Sequence, residues 1–192
     1  GLPVANASLL DEGTAAAEAM LLAHSQSKKK DFIVDDKIFP QTLEVLQTRA
    51  RPLGINIVKV DLDKLVDLES VENAFGAIIQ YPNSHGALKY HDGFLRCAEA
   101  YKCMKIAIVD PLCQVLMKPV GEMGFDIAVG SMQRFGIPMG FGGPHASFFA
   151  ISEKYKRKIP GRIVGQSVDS QGNKALRLAL QTREQHIRRD KA

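Results

Sequence analysis

Three side chains that could take part in chemistry each follow an apolar stretch of strand type: Tyr81, Asp110 and Gln133. Ligands in open α/β sheets bind beyond the carboxyl ends of the strands. We therefore predict that these three side chains gather at one edge of a sheet. A phenol, a carboxylate and an amide can hold a polar ligand there. The amide of Gln133, however, cannot form an imine as a lysine amine would.

Each of these residues also has a structural alternative. Asp110 precedes Pro111, and this dipeptide often begins a turn. Gln133 could hydrogen-bond the backbone of its own loop, and Tyr81 could end its strand with its hydroxyl group in water. The residues alone leave both interpretations open.

A glycine-rich segment follows Gln133 and contains Gly136, Gly140, Gly142 and Gly143. Glycine has no Cβ and adopts positive φ readily, so this segment can bring bare backbone against a neighbouring group. The segment lacks both the G-K-[ST] of a P-loop and the spacing of a dinucleotide-binding loop. His145, which follows it, is either structural or catalytic. The histidines lack H-x-x-x-H spacing, so no metal site is predicted.

Short apolar runs alternate with helical patterns along the chain, which is typical of an α/β fold with a mostly parallel sheet flanked by helices. A helix is predicted over residues 8–26, with Ser8 or Asp11 as its N-cap. A second helix is predicted from Pro40 to Gly54. Strands are predicted at residues 32–34, 55–60, 77–79, 106–109, 127–129 and 147–151.

The chain shows no repeat and no Gly/Ser linker, so residues 1–192 are predicted to form one domain. Residues 155–173 have a loop-like composition. Within them, residues 165–173 are predicted to be a mobile loop, because Asp169 and Gly172 carry turn chemistry. Residues 176–180 fit either a strand or a helix.

The composition, with 45% hydrophobic and 24% charged residues, is that of a globular protein. No run approaches the roughly 20 apolar residues that cross a bilayer, and the first residues do not form a signal peptide. The net charge is +4, concentrated in residues 28–30, 154–162 and 183–191. These clusters fit a solvated face, a docking surface for an acidic protein, or a nucleic-acid surface. Aromatic residues are not interleaved with them, so nucleic-acid binding is not predicted.

The last basic cluster is dense in hydrogen-bonding groups. As a helix it would place Arg183 near His186 and Glu184 near Arg188. It is either a surface helix with ion pairs or a polar network that reaches an active site with Arg183 or His186.

Five segments, in this order, closely resemble the glycine decarboxylases, the P-proteins of the glycine cleavage system. The resemblance covers essentially all 192 residues and is to an internal part of the amino-terminal half of those proteins. Family members extend beyond both ends of the chain, and their carboxy-terminal half carries the lysine that binds pyridoxal phosphate. The segments are residues 5–19, 80–86, 131–136, 142–145 and 181–191.

The resemblance implies an aminotransferase-like large domain (pyridoxal-phosphate fold type I) and assigns positions within it. Asp110 matches the aspartate that binds the pyridine nitrogen, and Gln133 the lysine position. The helix near Ser8 matches the one whose N-terminus faces the cofactor phosphate, where free N–H groups favour an anion. These three residues are therefore interpreted as a degenerate cofactor pocket with no catalytic residue of its own. The candidates for an interface with the active site are Tyr81, His145, Arg183 and His186.

The resemblance also implies a function. The whole protein would decarboxylate glycine with pyridoxal phosphate and pass the aminomethyl group to lipoylated H-protein. Its partners would be the carboxy-terminal half of the same enzyme and H-protein, in a dimeric assembly. The compartment would be the mitochondrial matrix in a eukaryote or the cytoplasm in a bacterium. The isolated segment is expected to be inactive. The alternative is a non-catalytic structural module without a residual pocket.

Overall fold

The computed structural model describes residues 1–62, 64, 68–138, 140 and 145–180, with the side chains of 68–70 and 179–180 left aside. Seven strands form the main sheet. They are β1 (Val4–Ala5), β2 (Asp31–Asp35), β3 (Asn56–Val60), β4 (Ala74–Tyr81), β5 (Met104–Val109), β6 (Ile127–Ser131) and β7 (Ser147–Ile151). A separate hairpin contains β8 (Ile163–Val168) and β9 (Lys174–Leu180).

The strand order in the main sheet is β3-β2-β4-β5-β6-β7-β1. The five strands β2 to β6 are parallel, β7 is antiparallel to β6, and β1 is antiparallel to β7. The chain places β3 on one side of β2 and then returns to place β4 on the other side. This reversal makes a topological switch point at the carboxyl edge, where open α/β sheets bind ligands. The predicted mostly parallel sheet is confirmed.

Five α-helices accompany the strands in the described part of the chain. They are α1 (Glu12–His24), α2 (Pro40–Ala50), α3 (Leu68–Asn73), α4 (Asp92–Ala100) and α5 (Cys113–Leu116). The first two pack on one face of the sheet, and α3 and α4 pack on the other. Alanines dominate the buried side of α1, so its backbone lies close to the sheet. No helix within the described ranges is both long and apolar enough to cross a membrane.

Residues of β4 alternate between the two cores. All eight residues of this strand are buried. From Ala77 onward the alternation is regular: Ile78 packs on the side of α1, whereas Ala77, Ile79 and Tyr81 pack on the side of α4. Successive strand residues point to opposite faces, and this alternation decides which polar residues at the end of β4 reach α1.

Gly130 allows close contact between β6 and β5. A Cβ added at this position would lie 2.1 Å from the carbonyl oxygen of Val109 and 2.9 Å from the Phe148 ring. Contacts under about 3 Å are not tolerated, so any larger residue would push the two strands apart. Gly130 therefore helps to set the distance between the strand ends that carry Asp110 and Ser131.

The first helix begins later than predicted, and its N-cap is Asp11 rather than Ser8. Leu9 exchanges backbone hydrogen bonds with Ser147 at 2.9 and 3.0 Å, which holds the chain extended up to that residue. The Asp11 carboxylate then accepts a hydrogen bond from the Thr14 N–H at 2.6 Å. Such a cap contributes about 1 kcal/mol. The sequence offered both caps, and pairing with β7 selects the second.

The loop predicted over residues 165–173 is wrong for its first part. Residues up to Val168 belong to strand β8, which pairs antiparallel with β9. The turn lies at residues 169–173, where Asp169 Oδ1 accepts the N–H groups of Gln171 and Asn173, both at 2.8 Å. Apolar and polar residues do not alternate cleanly in β8, so no clear strand pattern is visible in these residues. Residues 176–180, for which strand and helix were both open, are strand.

Candidate functional site

A cleft of about 520 Å³ lies at the carboxyl edge of the sheet, beyond β4, β5 and β6. Its floor consists of the residues that follow these three strands. The N-terminus of α1 forms one wall, and Phe39, which precedes α2, lies at another. The polar residues in the lining are Glu12, Gln80, Asn83, Asp110, Ser131, Gln133 and Arg134.

Asp110 and Gln133 meet in this cleft, as their positions after β5 and β6 predicted. Asp110 Oδ1 accepts the Leu112 N–H at 2.9 Å, which also makes it the turn residue of the alternative interpretation. Asp110 Oδ2 lies 2.6 Å from Nη2 of Arg134. The backbone N–H of Gln133 donates to Ser131 Oγ at 3.2 Å. The carboxylate is therefore already paired within the chain, and the Arg134 that pairs with it was missed by the sequence reasoning.

Glu12 is the second residue that the sequence reasoning missed. It begins α1 and lines the cleft. The pKa of Glu12 is raised to about 7, mainly by burial and also by the negative charges of Asp11 and Asp110. Hydrogen bonds from the Gln80 side chain and the Ser131 backbone act in the opposite direction. From the sequence, Glu12 is an ordinary acidic residue of a first helical turn, which favours the helix dipole. Only the fold shows that three strand ends surround it.

Gln80 is the third. It is 4% exposed and lines the cleft on the side of α1. Its Oε1 is buried and has no hydrogen-bond partner within the described part of the chain. Buried polar atoms are nearly always hydrogen-bonded, so an exception of this kind calls for a partner that the chain does not supply. The sequence signal was its place directly before Tyr81, at the end of a strand.

Two predicted site residues lie away from the cleft. Ser8 is exposed and precedes the N-cap of α1 by three residues, so it is placed neither as the cap nor in the lining. Tyr81 ends β4 but is only 2% exposed and packs in the core on the α4 side, with its ring centroid 6.3 Å from that of Tyr90. Burial, together with the neighbouring Tyr90, raises the pKa of Tyr81 to about 12. Strand alternation directs Gln80 to the cleft and Tyr81 away from it.

The remaining candidates are His145, Arg183 and His186. His145 is half-buried before β7 and does not line the cleft. Its Nδ1 is buried and finds no hydrogen-bond partner among residues with a described position. Arg183 and His186 lie outside the described residues. No group of three or more metal-ligating side chains occurs among the residues described.

The cleft does not fit a covalently bound pyridoxal phosphate. Among the described residues its lining contains no lysine, and Gln133 has an amide at the position that the family resemblance assigns to the lysine. The Thr14 N–H at the start of α1 is already bonded to Asp11, and the Glu12 carboxyl group stands beside it. A phosphate at this helix start would therefore meet the Glu12 carboxyl group. Asp110, the candidate for the pyridine nitrogen, is paired with Arg134.

Comparisons with known proteins agree over the full length of the chain. The family model of the glycine cleavage system P-protein matches residues 1–192. A glycine dehydrogenase (decarboxylating) from Prochlorococcus marinus is 59% identical over 195 residues, and one from Aliivibrio salmonicida is 55% identical over 194 residues. Each alignment covers 100% of this chain and 20% of the relative. The chain thus spans about a fifth of the length of these bacterial relatives.

Solved structures give the same result. The crystal structure of an inhibitor-bound glycine decarboxylase (P-protein) superposes with a TM-score of 0.85 at 37% identity, covering 100% of this chain and 44% of that chain. An aspartate aminotransferase from Thermus thermophilus matches with a TM-score of 0.56 at 19% identity, covering 80% of this chain and 44% of that one. The second likeness shows the fold alone. The fold is that of the pyridoxal-phosphate enzymes of fold type I, as the resemblance implied.

Proposed function

This chain belongs to the family of the glycine cleavage system P-protein, and from that premise we propose that it is the non-lysine part of a glycine decarboxylase. The whole protein would remove CO₂ from glycine and transfer the remaining aminomethyl group to lipoylated H-protein. The observation that carries this proposal is the cleft at the strand ends, where a fold of the pyridoxal-phosphate type has Gln133 and, within the described ranges, no lysine in its lining.

Pyridoxal phosphate would be bound by the part of the polypeptide outside these 192 residues, where it would supply the electron sink for decarboxylation. The role of this chain is to shape the cleft and to position the residues that line it. Its sheet holds the cleft residues at fixed distances, and Gly130 keeps β5 and β6 close. We propose that residues 1–192 act as one domain of the longer enzyme.

Exposed apolar side chains support contact with the rest of that enzyme. Val115 and Leu116 in α5 are 76% and 86% exposed, and Phe135, which follows the cleft residue Arg134, is 53% exposed. Large apolar residues clustered near a cleft mark a surface that another part of the protein covers. We propose that the carboxy-terminal half, in a dimeric assembly, covers this surface and that His145, Arg183 and His186 belong to the same interface.

The attraction of H-protein would come from the net positive charge, to which lysines that also hold the fold contribute. In the described clusters, Lys29 Nζ donates to the carbonyl groups of Ala74 and Tyr101, both at 3.2 Å. Lys154 lies 3.1 Å from Asp126, and Lys158 donates to Gln26 at 2.6 Å. These side chains are engaged in the fold, but their charge still accelerates the encounter with an acidic protein. The compartment would be the cytoplasm in a bacterium and the mitochondrial matrix in a eukaryote.

A non-catalytic structural module is the second candidate function. The Asp110–Arg134 ion pair and the capping of α1 by Asp11 favour it. Both give partners from this chain to groups that a cofactor would otherwise contact. In this case the segment would stabilise the enzyme without shaping the reaction.

The test is to reduce the full-length holoenzyme with borohydride and map the pyridoxyl-lysine peptide. We expect the adduct outside residues 1–192 and, with H-protein present, exchange of labelled CO₂ into glycine. The isolated segment should show neither an adduct nor exchange. An adduct on a lysine of this segment, together with glycine turnover, would overturn the proposal. Substitutions of Gln133 that leave exchange by the full-length enzyme unchanged would favour the structural module.

A further inference from the structure

We propose that the cleft beyond β4, β5 and β6 is a binding site for a small molecule with a protonated amine. The proposal depends on the unpaired acceptor in the lining and on the excess of carboxyl groups over guanidinium groups there. It concerns binding alone and does not depend on whether the enzyme turns over glycine.

The first argument is an acceptor without a donor. Gln80 Oε1 is buried, lines the cleft and has no hydrogen-bond partner among the described side chains and backbone groups. Leaving such an atom unpaired costs as much as losing a hydrogen bond. The side-chain amide of Gln80 interacts with Glu12. The atom left over is an oxygen, which requires a donor from the ligand.

The second argument is the balance of charge. Two carboxyl groups line the cleft, Glu12 and Asp110, against one guanidinium group, Arg134. Arg134 is already paired with Asp110 at 2.6 Å, which leaves Glu12 without a cationic partner in the lining. A protonated amine supplies both what Gln80 lacks and what Glu12 lacks, namely N–H donors and a positive charge.

The third argument excludes anions. A helix N-terminus binds anions through its free N–H groups, but at α1 the Thr14 N–H is bonded to the Asp11 carboxylate at 2.6 Å. An incoming phosphate or carboxylate would also meet Glu12. The start of this helix therefore presents a carboxyl group to an incoming anion, which disfavours anion binding there.

The walls of the cleft set the size and polarity of the rest of the ligand. Phe39, Pro82, Val109 and Pro111 contribute apolar surface, and the volume of about 520 Å³ is within the range of small-molecule sites. A short aliphatic amine fits this combination of a polar end and apolar sides. A divalent cation fits it less well, because the residues described contain no group of three ligating side chains.

The experiment uses dimethylammonium chloride and the full-length holoenzyme at low ionic strength. This cation has two N–H donors, and a secondary amine does not form the neutral imine that a primary amine would form with pyridoxal phosphate. Its binding is followed by line broadening of its methyl NMR signal. For a ligand this small we expect a dissociation constant on the order of 1 to 10 mM.

Two variants and one control assign the binding to the cleft. Glu12→Gln removes the charge and Gln80→Leu removes the acceptor, and each should weaken binding about tenfold or more. Glu18→Gln is the matched control, because Glu18 lies on the same helix but pairs with Arg49 at 2.8 Å, away from the cleft. It should leave binding unchanged. Amide hydrogen exchange of α1 checks that each variant is folded. If one of the two cleft variants does not fold, the other still tests the proposal.

Equal binding by all four proteins, or no binding by the unmodified enzyme, would overturn the proposal. Displacement of the probe by an equal concentration of Mg²⁺ would also overturn it, since the site would then be one for a metal ion. If the borohydride experiment contradicts the proposed function, the binding result still stands. The borohydride experiment detects a pyridoxyl-lysine adduct, whereas line broadening detects binding of the amine to the cleft.

Discussion

The two edges of the sheet differ in whether their buried polar and charged groups have partners within the chain. At the amino edge, Lys105 of β5 is only 6% exposed but contacts Glu99 and lies 3.3 Å from Asp126. Asp126 also accepts the Lys105 N–H at 3.1 Å and pairs with Lys154 at 3.1 Å. This network is closed, because each buried charge has partners within the chain.

At the carboxyl edge, by contrast, some buried polar atoms have no partner among the described residues. Gln80 Oε1 and, at the end of β2, Asp35 Oδ1 are buried and unpartnered among described groups. Burial raises the pKa of Asp35 as it does that of Glu12. Buried polar groups without partners are rare in folded proteins and concentrate where a ligand or a partner supplies the missing contact. The comparison teaches that the amino edge stabilises the fold, whereas the carboxyl edge retains groups for an external partner.

The largest effect is expected at the amino edge, from Lys105→Ala. The substitution leaves the 12% exposed Asp126 with the largely exposed Lys154 as its remaining cationic partner and opens a cavity, and we expect a cost of about 3 to 5 kcal/mol. Hydrogen exchange of the β5 amides in the full-length protein measures the loss locally. The control is Lys154→Met, which removes a partner of the same Asp126 that is 61% exposed and should cost less than about 1 kcal/mol. Equal losses for both variants would show that the network is not a closed, buried one.

The next effect has the opposite sign and lies at the carboxyl edge, in Glu12→Gln. The pKa of Glu12 rises from 4.5 to about 7 on folding, so the folded state binds the proton more tightly than the unfolded state. Stability is therefore lost as the pH rises from about 4.5 to about 7. The neutral variant should be the more stable one at pH 8, by up to about 3 kcal/mol, and should match the unmodified protein near pH 4. Hydrogen exchange of α1 at both pH values tests this, and a variant less stable at pH 8 would contradict it.

Cation binding should depend on pH through the same group. The charged groups facing Glu12 are Asp11 on its own helix, Asp110 after β5 and Arg134 after β6, while β4 contributes the neutral Gln80. Because the pKa of Glu12 is about 7, its carboxylate forms as the pH rises through 7. Affinity for dimethylammonium should increase about tenfold between pH 6 and pH 8. Methyl line broadening at the two pH values measures it, and Glu12→Gln should abolish the difference. A slope in the reverse direction would assign the binding to another group.

The sequence predicted most of the scaffold and only part of the site, for different physical reasons. Apolar runs such as residues 106–109 and 127–129 predicted strands because burial on both faces leaves a continuous hydrophobic pattern. From the strand ends it followed that Asp110 and Gln133 would meet. The pattern could not tell that Gln80 rather than Tyr81 faces the cleft, since the register of β4 decides that. Hairpin strand β8 had no clean alternation and was predicted as loop.

The start of α1 shows the same limit. Ser8 and Asp11 are equally good N-caps by residue type. Pairing of Leu9 with Ser147, far along the chain, excludes the first. Glu12 follows from that choice, because a helix that began at Ser8 would not place Glu12 in its first turn. The pKa of Glu12 arises from groups on three separate strands, and no local pattern contains them.

The smallest effect is expected at the mouth of the cleft, where Arg134 is 57% exposed in its ion pair with Asp110. An ion pair with so exposed a partner contributes about 1 kcal/mol or less to stability. Arg134→Gln should therefore barely change hydrogen exchange, yet it frees the Asp110 carboxylate and should tighten dimethylammonium binding about threefold to tenfold. Arg49→Gln, which breaks the pair with Glu18 outside the cleft, is the matched control and should leave affinity unchanged. If Arg134→Gln weakens binding instead, Arg134 itself contacts the ligand, and the carboxyl edge accepts a molecule with a negative group as well as an amine.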